Sequence, residues 1–239
     1  MNTEIKDFSD LTIIIPTLNE ENSIPTLLSE IEKNVPKTNV IISDDGSRDR
    51  TKEHAESYEG DINVVFLDRE KEKIHGLTIS VLDAIKKCQT SLFLVMDGDL
   101  QHPPEAIPDF YELLKKKKDL VVGRRIKILG KWPIHRRIIS FVATSFGKLS
   151  LLVRGKNRTK DIMTGFFASK KKIWTSDIKK NLNRFTLEGY KVLFDFLKIY
   201  PSKLNIGEVD YVFGIRYHGE SKISSKVIWL YFKSLFKKA

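Results

Sequence analysis

The segment from Leu11 to Ser47, LTIIIPTLNEENSIPTLLSEIEKNVPKTNVIISDDGS, decides the fold class. It opens with LTIIIPT, a β-branched run that stops just after a proline, which predicts a buried strand. It closes with NVIISDDGS, a second apolar run that ends in a polar turn. Between the two runs, apolar residues recur at the spacing of one helical face: Ile24, Leu27, Leu28, Ile31 and Val35. A strand, a helix and a second strand in this order are typical of a parallel sheet with helical crossovers.

The same alternation continues as far as Gly123. We predict a short polar helix over residues 48–58, a strand at INVVFL, a helix at GLTISVLDAIKKC, a strand that begins at Ser91, a helix at PEAIPDFYELLKKKK and a strand at DLVVG. Cys88 falls on the apolar face of its helix and is expected to be a core thiol. The prediction is therefore an α/β fold, with a mostly parallel, doubly wound sheet and helices on both faces.

Composition narrows the class of protein. The 239 residues suffice for one domain with a full core, and 41% hydrophobic with 30% charged residues excludes wholesale disorder. Cys88 is the only cysteine, which excludes an internal disulfide and a cysteine-rich metal site. The polar N-terminus shows no apolar signal region, and nowhere do 18 apolar residues occur in succession. We therefore expect a cytoplasmic protein without a membrane span.

Charge is distributed unevenly along the chain. Residues 1–119 contain 15 Lys and Arg against 24 Asp and Glu, a net −9, whereas residues 120–239 contain 26 against 7, a net +19. An acidic first half and a basic second half favour an anionic partner bound by the second half. Nucleic acid, a phosphorylated ligand and an anionic membrane surface all meet that description, and a lysine-rich solvated surface is the alternative without a partner.

Two segments of the basic half mix aromatic, aliphatic and basic residues. They are WPIHRRIISFVATSFGKLSLLVRG, residues 132–155, and SKVIWLYFKSLFKKA, residues 225–239. Both are too polar to span a bilayer but suit C-terminal amphipathic helices at a membrane interface. The alternative is that both pack on the sheet as ordinary amphipathic helices.

Three of the predicted strands end in polar residues, at TLNE (17–20), DDGS (44–47) and DGD (97–99). In open α/β sheets, ligands bind beyond the carboxyl ends of the strands, so these groups are expected to meet at one edge. Asp97 and Asp99 could form an acid/base pair, accept a phosphoryl group or hold a hard divalent cation. Two carboxylates joined by one glycine favour the cation, and Gln101 adds a neutral oxygen two residues further on.

Seven motifs occur in the order found in one enzyme family: IPTLNEE, SDDGSRDRT, MDGDLQHPPE, VVGRR, WPIHRRIIS, DIMTGFFA and EVDYVFGIRYHGESK. With them, the chain resembles inverting family 2 glycosyltransferases of the dolichol-phosphate mannose synthase type, from about Leu11 to Lys222. The first two motifs are shared by many sugar transferases, whereas DGDLQHPPE and FGIRYHGESK point to the polyprenyl-phosphate subgroup. The resemblance implies a GT-A nucleotide-sugar-binding fold.

The resemblance also implies roles for individual residues. Mg²⁺ or Mn²⁺ would be held by Asp97, Asp99 and Gln101. The nucleotide sugar would be bound by Pro16, Thr17, Asn19, Glu20, Asp44, Asp45, Ser47, Asp97, Gly98, Asp99, Arg216 and Lys222. The lipid phosphate would be bound by Arg125, Arg136, Ser140 and Lys191, and Asp161 would accept a sugar hydroxyl. Transfer itself would depend on Asp99, Arg125, Arg136 and Arg216.

The activity implied by the resemblance is transfer of mannose from GDP-mannose to dolichyl or polyprenyl monophosphate. The enzyme would be peripheral on the cytoplasmic face of a membrane, either alone or with a membrane-embedded partner protein. Residues 1–125 would form the half that binds nucleotide sugar and metal, and residues 126–239 the half that binds acceptor and membrane. Alternatives are a UDP-glucose or UDP-N-acetylhexosamine donor, a transferase fold that serves only as a membrane scaffold, and a basic nucleic-acid-binding module. We expect no nucleic-acid partner, since that module needs no Asp-x-Asp edge.

The sequence departs from the family pattern at four places. Leu18 stands where the family more often has Tyr, and Gly98 where it often has Ala or Ser. Arg124 replaces a small residue, and the stretch from 126 to 131 is short. These departures bear on sugar and lipid preference, because none of them removes a predicted metal ligand or phosphate contact.

Overall fold

The computed structural model describes residues 7–130, 134–216 and 225–236 of the chain. Within them the chain alternates strands and helices, as predicted, up to residue 128. In chain order the elements are β1 Leu11–Thr17, α1 Ile24–Asn34, β2 Asn39–Asp44, α2 Thr51–Glu56, β3 Asn63–Asp68, α3 Leu77–Lys87, β4 Leu92–Val95, α4 Ile107–Lys115, β5 Leu120–Ile128, α5 Ile134–Val153, β6 Phe167–Lys170, α6 Lys171–Asn181, α7 Val192–Ile199, β7 Ile206–Phe213 and α8 Ser225–Phe236.

The seven strands form one sheet in the order β3-β2-β1-β4-β6-β5-β7. All neighbours are parallel except β6, which runs antiparallel to both β4 and β5 and separates them. The α/β class and the mostly parallel sheet are confirmed. The sequence analysis did not predict β6, because four residues are too few to show a periodicity. The boundary predicted after residue 125 falls inside β5, and β6 and β7 complete the sheet begun by the first half.

Helices cover both faces of the sheet and bury two apolar clusters. On one face α3, α6 and α7 pack around Phe93, where Trp174 stacks on Phe196 with ring centroids 3.8 Å apart. On the other face α1 and α4 pack around β1, β2 and β4. Cys88 is buried in the first cluster, which confirms it as a core thiol.

The last helix is held by hydrogen bonds to α5, α7 and Arg154. The Tyr231 hydroxyl donates to the Ala143 carbonyl of α5 at 2.7 Å, and Arg154 donates to the Leu235 carbonyl at 2.8 Å. Lys198, fully buried in α7, donates to the Ser234 carbonyl at 2.9 Å and pairs with buried Asp195. One side of α8 therefore belongs to the protein core, as the alternative reading of this segment expected.

Some apolar side chains of α5 and α8 are exposed. On α5, Phe141 is 74% exposed and Val153 is 78% exposed. Trp229 of α8 is 60% exposed. Among the described helices, none combines the length and the apolar character that a bilayer span requires. The exposed apolar residues described on α5 are Phe141, Val142, Phe146, Leu149, Leu152 and Val153, here called the α5 apolar face.

Candidate active site

The carboxyl ends of β1, β2 and β4 meet at one edge, as the sequence predicted. These strands are neighbours, and the register sets Thr17 directly opposite Asp44. The Thr17 hydroxyl donates to the Asp44 carboxylate at 2.9 Å. Asp44 also accepts from the backbone N–H groups of Gly46 and Ser47, at 3.0 and 2.7 Å, and from the Ser47 hydroxyl. Asp44 is 3% exposed, so its oxygens serve mainly to shape this turn.

Asn19 and Glu20 join the loop after β1 to the loop after β2. The Asn19 N–H donates to the Ser47 hydroxyl at 2.7 Å, and the Asn19 side chain accepts the Arg48 N–H at 2.8 Å. Asn19 adopts a left-handed backbone, with φ at 53°, which asparagine tolerates better than most residues. The Glu20 N–H donates to the Thr51 hydroxyl at 2.8 Å. These bonds hold the predicted nucleotide-binding loops as one rigid rim beside Pro16.

Asp45 lies at the same rim and is fixed by residues that the sequence analysis did not single out. Its carboxylate accepts the Gly76 N–H at 2.6 Å and lies 3.2 Å from Nδ1 of His75. The buried guanidinium of Arg69 stands 3.9 Å from the same carboxylate and binds Asp83 at 3.0 Å. Arg69 and Gly76 are 24 and 31 positions away from Asp45 along the chain, and no sequence pattern predicts their contacts with it. The ends of the strands bring these residues together.

The loop from Asp97 to Gln101 brings the predicted metal ligands to the adjoining strand end. Burial raises the pKa of both Asp97 and Asp99, and the charge of Asp97 raises that of Asp99 further. Arg216, which follows β7, contacts the Asp99 carboxylate at 2.6 Å and reaches the Gln101 side-chain oxygen at 3.5 Å. The Gln101 amide nitrogen donates to the Gly214 carbonyl at 3.1 Å, which turns the amide oxygen toward Arg216.

The residues of this loop fit a divalent cation. Two carboxylates that repel each other, Asp99 buried and Asp97 32% exposed, with an amide oxygen beside them, are the oxygen donors that Mg²⁺ and Mn²⁺ select. A Cβ at Gly165 would stand only 3.1 Å from Oδ1 of Asp97, so the glycine leaves that oxygen uncovered. Gly98 is tightly placed as well, since its Cβ would lie 3.3 Å from the Thr17 methyl group.

Two cationic side chains, Arg125 and Lys191, form a cationic cluster near the carboxylate loop. Arg125 of β5 binds Asp161 through two nitrogens, at 2.7 and 3.1 Å. Lys191 donates to the Met163 carbonyl at 2.5 Å, and a Cβ at Gly165, two residues after Met163, would stand 3.1 Å from Oδ1 of Asp97, so the cluster and Asp97 adjoin the same short segment. Burial raises the pKa of Asp97, and the positive charges of Lys191, Arg216 and Arg125 oppose that shift. Asp161 is thus occupied by Arg125, and its predicted contact with a sugar hydroxyl stays a prediction.

Beside Arg125 a cavity of about 360 Å³ opens between β5 and α5. It contains two of the predicted acceptor residues, Arg125 and Ser140, and adds Arg124 and Lys160. Arg124 is paired with Asp210 and Lys160 with Glu208 at 3.5 Å. Of the remaining predicted residues, Lys222 and the side chain of Arg136 lie outside the described residues. The cavity lining is Arg124, Arg125, Ile128, Ser140, Thr144, Lys160 and Asp161.

Residues 12–176 match the family model described as glycosyl transferase family 2. The chain belongs to glycosyltransferase family 2. This glycosyltransferase is 36% identical to the dolichol-phosphate mannosyltransferase of Pyrococcus furiosus over 95% of its own length, and it spans 63% of that protein. It is 31% identical to the Saccharomyces cerevisiae protein of the same name, covering 95% of this chain and 85% of that one. An undecaprenyl-phosphate mannosyltransferase of Micrococcus luteus is also 31% identical, with 90% and 88% covered.

Solved structures share the fold of this glycosyltransferase. The S. aureus protein TarS, crystallised with UDP-GlcNAc, superposes with a TM-score of 0.62 at 18% identity, over 94% of this chain and 65% of that one. Glucosyl-3-phosphoglycerate synthase of Mycobacterium tuberculosis, crystallised with Mn²⁺, UDP-glucose and phosphoglyceric acid, gives 0.59 at 16% identity, over 94% and 79%. The family and the GT-A fold predicted from the motifs are confirmed.

Proposed function

We propose that this glycosyltransferase moves mannose from GDP-mannose to a dolichyl or polyprenyl monophosphate, with inversion at the sugar carbon. One observation carries the proposal: the carboxylate loop with Asp97 and Asp99 and the cationic cluster of Arg125 and Lys191 both adjoin the segment from Asp161 to Gly165. The first part suits a nucleotide diphosphate with its metal, and the second suits a phosphate acceptor. The names of the relatives in Pyrococcus, Saccharomyces and Micrococcus support transfer of mannose to a dolichyl or polyprenyl phosphate.

The donor half of the reaction depends on Asp97, Asp99 and Gln101, which would hold Mg²⁺ or Mn²⁺. When bound, the cation neutralises charge that develops on the departing diphosphate. The fold neighbour crystallised with Mn²⁺ supports a divalent metal. Arg216 lies against Asp99 and adds fixed positive charge at the same place. We assign Asp45 to binding of the nucleoside. Its carboxylate accepts the Gly76 N–H, and one of its oxygens is directed toward the exposed His75 at the rim.

The acceptor half needs no dedicated base. A phosphate monoester has a second pKa near 6 and is mostly a dianion at neutral pH, so it attacks without first losing a proton. It needs positive charge and orientation instead, which Arg125 and Lys191 supply and Ser140 supplements from the cavity wall. The acceptor phosphate would approach from this side and the diphosphate leave on the side of Asp99, as inversion requires.

The position of Lys191 predicts a narrow pH optimum. Burial, and next the charge of Arg125, lower the pKa of Lys191 to about 7. Lys191 is therefore cationic below about pH 7 and neutral above it, while the acceptor loses its dianion below about pH 6. We expect kcat/KM to fall on both sides of a window between about pH 6 and 7. The measurement is a pH profile of kcat/KM for the acceptor, which reports groups of the free enzyme and the free substrate.

Lys191→Arg is the control for the alkaline limb, because arginine stays charged throughout this range. In this variant kcat/KM should no longer decline above pH 7, whatever its absolute value. An alkaline limb at the same pH in both proteins would assign the titration to another group.

The proposed site of action is a membrane surface, on the cytoplasmic face. The α5 apolar face and Trp229 would enter the interface, and the net charge of +19 in the second half would favour anionic lipid. Ser140 and Thr144 line the acceptor cavity and belong to the same helix as that face. The phosphate of a membrane lipid would thus reach Arg125 while its chain stays in the bilayer.

Membrane binding predicts a loss on polar substitution of the α5 apolar face. We expect Phe141→Ser and Phe146→Ser each to weaken binding to anionic vesicles by about tenfold, since burying one aromatic side chain contributes roughly 1.5–3 kcal/mol. Val65→Ser is the matched control, an exposed apolar residue on β3 at the far edge of the sheet. Sedimentation with vesicles at low and high salt measures both effects, because salt screens surface charge over about 8 Å at physiological strength. Equal loss in the Val65 variant would contradict the assignment.

The test of the proposed function is a product assay. The protein is incubated with polyprenyl phosphate, Mg²⁺ or Mn²⁺ and separately with GDP-mannose, UDP-glucose and a UDP-N-acetylhexosamine, and lipid products are identified by mass spectrometry. We expect mannosyl phospholipid from GDP-mannose. A hexosyl product from a UDP sugar alone would replace the donor and leave the acceptor, whereas no lipid product from any donor would refute the proposal.

A further inference from the structure

His102 closes the carboxylate loop, and the mechanism above does not use it. Its imidazole is 2% exposed and stacks on Phe166, with ring centroids 4.9 Å apart and planes inclined by 18°. The rings of Tyr211 and Phe213 meet it edge-on, with centroids at 5.7 and 5.5 Å. The ring is thus held on three sides by aromatic side chains, two of them from β7.

The polar contacts described for this imidazole both involve a predicted metal ligand, Asp97, whose side-chain Oδ2 lies 3.6 Å from Nδ1 of His102. Nδ1 of His102 accepts the backbone N–H of Asp97 at 2.9 Å. A nitrogen that accepts a hydrogen bond carries no proton, so the geometry requires the neutral ring with its proton on Nε2. Burial lowers the pKa of His102 to about 3, which agrees with a ring that stays neutral at physiological pH.

The Asp97 N–H is the first backbone donor to leave the sheet. Met96 still donates to the Ile14 carbonyl of β1 at 3.1 Å, as a strand residue would. At Asp97 the acceptor is the imidazole of His102 instead of a neighbouring strand. The chain leaves the sheet here, and His102, five residues later, lies back against the end of β4. A buried N–H without such an acceptor would be unfavourable, since it would have lost its bond to water.

Other contacts fix the remainder of the loop. Leu100 adopts a left-handed backbone with φ at 63°, which is unfavourable for a non-glycine residue and needs support from its surroundings. The Gln101 N–H donates to Asp99 at 3.1 Å, and the Gly214 N–H donates to the Gln101 carbonyl at 2.8 Å. Asp99 and Gln101 are therefore placed by bonds of their own, and Asp97 depends on His102 for its backbone.

We propose that His102 is a positioning residue for the metal site: its Nδ1 fixes the Asp97 backbone and thereby directs the Asp97 carboxylate toward the cation. The inference rests on the proposed function, which places a divalent cation at Asp97. The competing role is that of a ring that only fills space between Phe166 and β7. The two differ in what the nitrogen does, since packing requires a ring of this shape and positioning requires an acceptor at Nδ1.

Two substitutions separate the roles. His102→Phe keeps an aromatic ring and removes the acceptor, whereas His102→Asn places an amide oxygen near the position of Nδ1 and removes the ring. The probe is Mn²⁺, titrated into protein with GDP and followed by the electron paramagnetic resonance signal of the free ion. We expect His102→Phe to weaken Mn²⁺ binding at least tenfold, the range found for partners that orient metal ligands, and His102→Asn to stay within about threefold of wild type.

Thermal unfolding of both variants, and GDP binding without metal, are measured alongside. Packing alone predicts that Mn²⁺ affinity follows the unfolding temperature in both variants, and that result would overturn the inference, as would wild-type Mn²⁺ affinity in folded His102→Phe. If His102→Phe does not fold, a tenfold loss in His102→Asn overturns it. In the wild-type protein, nitrogen NMR should show the Nε2-protonated tautomer of His102, and a proton on Nδ1 would exclude the role. A wild-type protein that binds no Mn²⁺ would refute the metal assignment and this inference together.

Discussion

Asp99→Asn is expected to lower kcat/KM by about 10²–10³, because a weakened cation site would stabilise the departing diphosphate less, and loss of one preorganised group that stabilises a developing anion has about this effect. Asp99 is almost fully buried and contacts Arg216 at 2.6 Å, so asparagine removes a proposed metal ligand and a partner of that guanidinium together. Asparagine nearly matches aspartate in shape. Burial raises the pKa of Asp99, which means that the charged carboxylate is unfavourable at this position, so an uncharged amide should leave the fold intact. Steady-state kinetics with increasing Mg²⁺ or Mn²⁺ measures the effect.

The control is Asp61→Asn, which removes an exposed carboxylate just before β3, at the opposite edge of the sheet. It should leave kcat/KM within about twofold of wild type, as surface charges generally do. Chelation of divalent ions should abolish transfer by the wild-type protein and added Mg²⁺ or Mn²⁺ restore it. Full activity in the presence of chelator would remove the metal from the mechanism.

Arg125→Ala is expected to reduce transfer by about 10²–10³ as well, and for a different reason. The guanidinium binds Asp161 through two nitrogens and lines the acceptor cavity, so alanine deletes the acceptor charge and leaves the Asp161 carboxylate, 12% exposed, without this partner. Loss of one member of a hydrogen-bonded charge pair at a binding site typically costs about 2–5 kcal/mol. The defect should appear in kcat and in KM for the lipid acceptor, with donor affinity unchanged.

A double-mutant cycle separates the two causes. If the carboxylate left behind contributes to the loss, Arg125→Ala with Asp161→Asn should recover part of the activity of Arg125→Ala. Arg158→Ala removes an exposed arginine of the same basic half and serves as the matched control, expected within about twofold of wild type. Loss of donor affinity in Arg125→Ala, with acceptor binding intact, would contradict an acceptor role for this residue.

The sequence predicts the donor edge of this site well and the acceptor side less well. Thr17 and Asp44 each end a strand and Asp97 follows the end of another, and parallel strands align their ends, so strand pattern alone brings them together. The ion pair of Arg125 with Asp161 joins residues 36 apart through β5 and the loop before β6, and neither periodicity nor turn chemistry predicts it.

Motif matching indicates which residues belong to a site but does not show what each oxygen contacts. Asp44 and Asp45 are adjacent in one motif, yet Asp44 shapes the turn and is buried, whereas Asp45 is held at the rim by Gly76 and a buried arginine. His102, which the sequence indicates only as a residue before a proline, has a defined contact because the loop returns to the end of β4. Such roles depend on tertiary contacts that local sequence does not encode.

The antiparallel strand β6 governs when the sheet is completed during synthesis of the chain. Strands β1 to β4 are translated by residue 95, but β4 remains a bare edge until residues 167–170 emerge from the ribosome and pair with it. β5 can join the sheet only through β6, although it is translated some 40 residues before β6. A nascent chain therefore carries an unpaired apolar strand for much of its translation, the kind of edge that chaperones cover and that aggregates when exposed.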